Sequence, residues 1–352
     1  MKLKSIQILV ILAVIGSSLS VPALANVKAD ANCKTKGQVK NVSGFKYTCA
    51  KSGKKLVWNR EVLTQKPKSS KFAPWSTKFE VGSLIKSAID STDAYAGVVR
   101  SNNSYDITIE NSVRESDRKW IIQMLDYANG FFSKIEREKP KVFIGNSHDW
   151  SRDAMKNAGT WIGDPNQPYP CSDGTQDAYC AIYNNLILLI FMNPSQNWDI
   201  GRLSTPAHEI FHTVQDSILG YDMTRIGPEH PRRIPRWIVE GSANYFGFYT
   251  VQKLKLGTYE NARNSQIRFN SEYQNVKPLS TYDNFESNPY GIGQAATEYI
   301  IASVGFESLL NIFRFSGTEG GFPAGFKKAT GIGLSEFYSK FEEARSSMQI
   351  GS

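Results

Sequence analysis

The sequence has few histidines and few cysteines, no internal repeat, and no long apolar run after its first residues. Four histidines and four cysteines in 352 residues leave few candidates for a metal site or a disulfide. After residue 15, no stretch supplies the roughly 20 apolar residues that a membrane-spanning helix needs. With 41% apolar and 21% charged residues, the composition argues against a fibrous or mostly disordered chain. We therefore expect one main core, because single cores stop growing near about 250 residues.

The first 25 residues have the pattern of a secretory signal peptide. Two lysines precede an apolar run over residues 6–15, and residues 23–25 form an A-x-A cleavage site. The run has about half the length of a spanning helix, so we predict cleavage after Ala25 rather than a membrane anchor. No cysteine directly follows the run, which argues against a lipid anchor. We expect the mature protein to be secreted or held at the cell surface, with no transmembrane segment.

The four cysteines fall into two pairs that are local in sequence. An even number of cysteines in an exported chain favours disulfides. Of the three connectivities that four cysteines allow, we predict Cys33–Cys49 and Cys171–Cys180, because each pair closes a short segment rich in turn residues. Free buried thiols are the alternative.

Charge is segregated along the chain. Residues 26–72 contain eleven lysines and Arg60 against two acids, a net charge of +10, whereas residues 73–352 sum to −4. We predict a small basic β module over residues 26–62, a linker over residues 63–78, and a main domain over residues 79–352. Strand-like alternation of aromatic and polar residues supports the module. Its charge would suit an anionic polymer of the cell envelope, and no nucleic-acid partner is expected.

The main domain reads as an α+β fold with an early mixed sheet and late helices. Three strands are predicted at Tyr105–Glu110, Lys141–Gly145 and Asn185–Met192, and a helix with apolar residues at helical spacing covers residues 116–135. From Ser204 onward the pattern is mainly helical. If the third strand lies at the sheet edge, it can pair with an extended substrate.

The segment His208-Glu209-Ile-Phe-His212 is the first candidate for chemistry. It is predicted to lie in a helix that begins at the cluster Ser204-Thr205-Pro206. Histidines four residues apart project from the same face of a helix, so both imidazoles can reach one metal ion, with Glu209 beside it. An amphipathic helix with coincidental histidines is the alternative. His148 and His230 are predicted to lie in loops outside this site.

A second segment reads Trp237-Ile-Val-Glu240-Gly241-Ser-Ala243. With the first motif it resembles the W-x-x-E-G-x-A helix of the glutamate zincins, zinc metallopeptidases with a thermolysin-like domain, and in particular their aminopeptidase-like branch. This resemblance implies that His208, His212 and Glu240 hold one catalytic Zn²⁺ and that Glu209 is the general base. It implies a peptidase acting on peptides or proteins. By itself, Glu240 would be a solvated helix carboxylate.

A third segment, Asn288-Pro289-Tyr290-Gly291-Ile-Gly293, is similar to the P-Y-x-x-G arrangement of related peptidases. That similarity implies that the Tyr290 hydroxyl stabilises the tetrahedral intermediate. A packing role for Tyr290 is the alternative. Asn244, one turn beyond Glu240, is a candidate to orient His208, or else a helix-surface residue.

Two features depart from the family pattern. The gap between His212 and Glu240 is longer than in the aminopeptidases, and no counterpart is evident of the acidic motif that reads a free amino terminus. The sequence therefore leaves exopeptidase and endopeptidase action open. The alternative function is a cell-surface binding protein that keeps the zincin fold without turnover and binds through its basic residues 26–72.

Overall fold

The predicted signal peptide, residues 63–71 of the predicted linker, and His230 lie outside the part of the chain that a computed structural model of the protein describes. The described residues are 31–42, 45–62, 72–161, 169, 171, 174–182, 185–192, 200–221, 233–269, 277–283 and 288–349.

The first described residues form a small sheet joined by a disulfide. Cys33 is bonded to Cys49, which confirms the first predicted pairing. Cys49 and Trp58 are buried, and a backbone bridge joins Asn32 to Val57. The three strands follow one another in the sheet in the order β1 (Val39–Val42), β2 (Phe45–Ser52) and β3 (Lys55–Val62).

A second, mixed sheet lies in the main part of the chain and has the order β4-β5-β7-β6. Its first three strands are parallel, and β6 runs antiparallel to β7 at one edge. The strand in Asn185–Met192 is paired on both sides, so it does not lie at the sheet edge and cannot pair with an extended substrate. The strands are β4 (Asp106–Ile109), β5 (Lys141–Gly145), β6 (Ala178–Ile182) and β7 (Leu186–Ile190).

Both faces of β7 are covered, which explains its uninterrupted apolar sequence. Leu188 points toward the side where Met155 of helix α3 (His148–Asn157) packs. Ile187 and Leu189 point the opposite way, into the larger core formed with the helices. A disulfide between Cys171 and Cys180 of β6, the second predicted pairing, is confirmed.

The later helices supply most of the larger core. Helix α5 is buried from Trp237 to Val251, so it passes through the centre of the domain. None of the described helices is long and apolar enough to cross a membrane. The helices besides α3 are α1 (Val81–Ala96), α2 (Glu115–Phe131), α4 (Ile200–Leu219), α5 (Arg236–Lys253), α6 (Tyr259–Phe269), α7 (Tyr290–Val304), α8 (Phe306–Thr318), α9 (Phe322–Thr330) and α10 (Leu334–Ala344).

Helix α4 extends further toward the N-terminus than predicted. Pro206 lies inside the helix, whose first residue is Ile200. The hydroxyl groups of Ser204 and Thr205 donate to the carbonyl oxygen of Gly201, at 2.7 and 3.0 Å, instead of capping a helix start. The prediction of a start at these residues is wrong, because an internal proline removes only one backbone donor and the surrounding core retains the helix.

Residues 72–78, which fall within the predicted linker, pack on the main domain. Phe72 is buried in the larger core, and its ring lies edge-on to Tyr299, with 6.3 Å between centroids. The backbone N–H of Trp75 donates to the Ser303 hydroxyl at 3.1 Å. Any shortened chain that is meant to keep this core must therefore begin before Phe72.

Candidate metal centre

Helices α4 and α5 bring two histidines and a glutamate to one point. The Nε2 atoms of His208 and His212 lie 3.0 Å apart, and Glu240 Oε2 lies 3.3 Å from the first and 3.4 Å from the second. The three ligand atoms lie within 4.8 Å of one another. All three side chains are largely buried, so these residues can hold a metal ion. They are the only such group found in the described part of the chain.

The carboxylate of Glu240 is held as an anion. Burial alone raises its pKa, but His212, His208 and Arg236 outweigh burial and lower the pKa well below its usual range. Arg236, one turn earlier on α5, forms an ion pair with Oε1, which leaves Oε2 facing the imidazoles. Burial lowers the pKa of His212, but Glu240, Glu209 and Gln215 together outweigh burial and raise the pKa to about 9. A metal ion bound at this centre would supply the positive charge beside Glu240 that protonated imidazoles otherwise supply.

Glu209 is buried beside the centre and differs from Glu240 in its surroundings. Burial raises the pKa of its carboxyl group, and the two histidines offset only part of that effect. The backbone of Ala181 in the edge strand β6 lies close to this carboxylate and lowers its pKa slightly. The second oxygen, Oε2, is buried without a hydrogen-bond partner. A carboxylate with a raised pKa and a vacant acceptor oxygen is suited to accept a proton.

Tyr290 is the first residue of α7 and lies at the same centre. Its ring centroid is 6.2 Å from that of His208. Burial raises the pKa of its hydroxyl, and the carboxylates of Glu240 and Glu209 raise it further. Tyr290 is therefore a protonated donor close to the candidate metal-binding residues.

Two glycines bring α5 and α7 into backbone contact next to these side chains. A Cβ atom on Gly241 would lie 2.1 Å from the carbonyl carbon of Gly293, and one on Gly293 would lie 2.0 Å from the carbonyl oxygen of Trp237. Only glycine permits this approach at both positions. The glycine after Glu240 and the one three residues after Tyr290 thus set the distance between the two side chains.

Gln215 was missed by the sequence analysis. Its side-chain oxygen lies 2.7 Å from Nδ1 of His212, one turn earlier on α4. The spacing of three residues on one helix was the available signal. Asn244, proposed from the sequence to orient His208, forms no hydrogen bond with it in the described structure, and its Nδ2 atom is buried without a partner.

His148 belongs to a different part of the fold. It is the first residue of α3, so the prediction that it lies in a loop is wrong, because Ser147 accepts a hydrogen bond from Trp150 N and begins the helix there. Its Nε2 atom lies 2.7 Å from the carbonyl oxygen of Gln176. The group of metal-binding residues does not include it.

No family model, curated protein or solved structure matches this chain. The resemblance to the glutamate zincins is thus carried by the three sequence motifs alone.

Proposed function

We propose that this protein is an exported zinc metallopeptidase in which His208, His212 and Glu240 bind one Zn²⁺ ion. The observation that carries the proposal is the convergence of these side chains within 4.8 Å, next to a buried Glu209 whose Oε2 has no partner. Two imidazoles and one carboxylate are a common ligand set of catalytic zinc, which keeps its fourth position for water. The donor set therefore fits zinc, and the two confirmed disulfides fit an oxidising compartment.

When bound, zinc supplies a Lewis acid that lowers the pKa of water toward neutrality. Glu209 would accept a proton from water on Oε2 while the water oxygen bonds to the peptide carbonyl carbon. It would pass this proton to the amine nitrogen as the C–N bond breaks, so the same carboxyl group acts first as base and then as acid. The Tyr290 hydroxyl donates to the oxyanion that develops on the substrate carbonyl. Its raised pKa keeps the hydroxyl protonated for this purpose.

The substrate is proposed to bind along β6 rather than along β7. β6 is the outermost strand on its side of the described sheet, and the backbone of its residue Ala181 lies close to the Glu209 carboxylate. An extended peptide added to this edge would place a peptide carbonyl near the general base. Recognition through main-chain hydrogen bonds favours peptides over other amide or ester substrates, which are the competing substrate class.

The basic N-terminal sheet is proposed to hold the enzyme near an anionic polymer of the cell envelope. Five of its lysines are exposed, whereas the larger part of the chain is acidic overall. A binding protein without turnover is the alternative, but the presence of both a metal-binding group and an adjacent buried base argues against it. The exposed lysines are Lys34, Lys36, Lys51, Lys54 and Lys55.

Metal analysis of the purified protein combined with digestion of a broad peptide library tests this proposal. We expect one zinc ion per chain and cleavage that a chelator abolishes and added zinc restores. Bound zinc without cleavage would favour the binding protein. If the protein cleaves esters or non-peptide amides but no peptides, one of those compounds is the substrate class instead.

A further inference from the structure

Gln215 connects the two helices that carry the candidate metal-binding residues. It is fully buried on α4, and its side-chain oxygen faces Nδ1 of His212 at 2.7 Å. Its side-chain nitrogen donates to the carbonyl oxygen of Val239 at 2.9 Å and to the hydroxyl of Ser242 at 2.8 Å. Val239 and Ser242 flank Glu240 on α5. One amide group thus contacts one metal-binding residue, His212, and two residues that lie on either side of another, Glu240, in the sequence.

The hydrogen bonds allow only one orientation of this amide. A backbone carbonyl such as that of Val239 can only accept. The Ser242 hydroxyl donates its proton to the carbonyl oxygen of Ile238 at 2.6 Å, so it accepts from Gln215. The end of Gln215 that faces α5 must therefore be the NH₂ group, and the end that faces His212 must be the oxygen.

This orientation determines the tautomer of His212. Because the oxygen of Gln215 only accepts, Nδ1 of His212 must carry a proton. In a neutral imidazole the lone pair then lies on Nε2, the atom that faces His208 and Glu240. We propose that Gln215 is a positioning residue that fixes the Nδ1-protonated tautomer and the ring orientation of His212 for metal binding. This inference rests on the proposed function, since it requires a metal at the centre.

Gln215 provides this contact without adding a charge. Metal-bound histidines often donate to a carboxylate, which raises the basicity of the ring. Here the buried carboxylates Glu240 and Glu209 already lie at the centre. A glutamate at position 215 would add a third carboxylate. One of its oxygens would then face the carbonyl oxygen of Val239, where glutamine places an N–H donor. An amide satisfies Nδ1–H and the acceptors on α5 together, which explains a glutamine at this position.

Three variants of the full-length protein separate positioning from packing. Gln215→Met removes the acceptor and the donors at similar volume. Gln215→Glu keeps an oxygen for Nδ1–H but replaces the amide donor toward α5. Gln294→Met is the matched control, because Gln294 is also buried but its amide donates to Tyr259 and Glu298, neither of which is a candidate metal-binding residue. Zinc affinity is measured by competition with a chromophoric chelator, and unfolding by circular dichroism.

We expect Gln215→Met to bind zinc roughly 10–100-fold more weakly than the unmodified protein, the range typical of a lost partner of a metal-bound histidine. Gln294→Met should keep the zinc affinity although its unfolding temperature falls. Gln215→Glu should also lose thermal stability while binding zinc more tightly than Gln215→Met. If Gln215→Met binds zinc as tightly as the unmodified protein, or if Gln215→Glu and Gln215→Met lose zinc affinity equally, Gln215 has only a packing role.

A spectroscopic measurement on the unmodified protein keeps the inference testable if Gln215→Met fails to fold. Nitrogen-15 NMR of the zinc-loaded protein with labelled histidines should show His212 protonated at Nδ1 and bound to metal through Nε2. Metal on Nδ1 would overturn the inference. If the unmodified protein binds no zinc, both this inference and the proposed function fail. Bound zinc without peptide cleavage would refute the peptidase alone, and the affinities would still decide the role of Gln215.

Discussion

Replacing Gly293 by alanine tests whether the close contact of α5 and α7 sets the geometry of the centre. The added Cβ would lie 2.0 Å from the Trp237 carbonyl oxygen, whereas real Cβ atoms essentially never come within 3.0 Å of a neighbour. The helices must therefore separate by at least about 1 Å, because the opposing atom is backbone and cannot rotate away. Overpacking of this kind lowers the free energy of unfolding by about 1–3 kcal/mol, and the better helix propensity of alanine offsets about 1 kcal/mol of that loss.

We expect a net loss of about 2 kcal/mol, since a backbone clash places the cost at the upper end of that range. For a domain of this size the loss corresponds to a fall in the unfolding temperature of about 4–8 °C. Tyr290 would move relative to Glu240 while the α4–α5 ligand set stays together. Peptide turnover should therefore fall by about 100-fold, the usual effect of a 1 Å misplacement, with zinc retained.

Gly82→Ala is the matched control for this experiment. Gly82 lies in helix α1, has no atom within 4 Å of an added Cβ, and has no positive φ angle. Alanine there should leave turnover unchanged and shift the free energy of unfolding by at most about 1 kcal/mol in the stabilising direction. Thermal unfolding, zinc analysis and kcat are measured on both variants. If Gly293→Ala matches Gly82→Ala in all three, the glycine contact has no role in the geometry of the site.

Three further predictions concern single components of the account. Glu240→Gln removes an anionic ligand and should weaken zinc binding by more than the roughly 10–100-fold typical of losing an outer partner; one tightly bound zinc per chain in that variant would show that the ligand assignment is wrong. Tyr290→Phe should keep zinc and lower kcat by about 100-fold with little change in KM, as expected for one lost oxyanion donor, and an unchanged kcat would assign Tyr290 to packing. A chain shortened to residues 71–352 keeps Phe72 and should cleave soluble peptides normally but lose salt-sensitive binding to isolated cell envelopes; equal envelope binding by both chains would refute the role of the basic module.

The sequence predicted the elements whose signals are local. The histidines four residues apart fix a shared helix face, and the α+β order follows from strand-like segments before Met192 and helical ones after it. Both disulfides were predicted from short spacing in turn-rich segments. The four-residue strand β4 and the strand β5 were recognised from alternation or from a short apolar run.

Features that depend on tertiary contacts were not accessible in this way. The edge position of β6 follows from strand pairing, and its residues Tyr179-Cys180-Ala181 have no strong strand pattern of their own. The start of α4 was misplaced because Ser204 and Pro206 have the residue types of a helix cap, while burial in the core extends the helix past them. The link from Gln215 to α5 joins residues more than twenty positions apart and becomes visible only once the helices are packed.

The central claim is that Glu209 acts as the general base beside a zinc ion held by His208, His212 and Glu240. Parallel peptide-library digestion by the zinc-loaded protein and by its Glu209→Gln variant, with zinc counted in both, tests it most directly. Glutamine has nearly the same shape as glutamate but cannot take the proton from water. The account predicts one zinc per chain in both proteins and cleavage by the unmodified protein only. Equal cleavage by the two proteins, or no cleavage by the zinc-loaded unmodified protein, would contradict it.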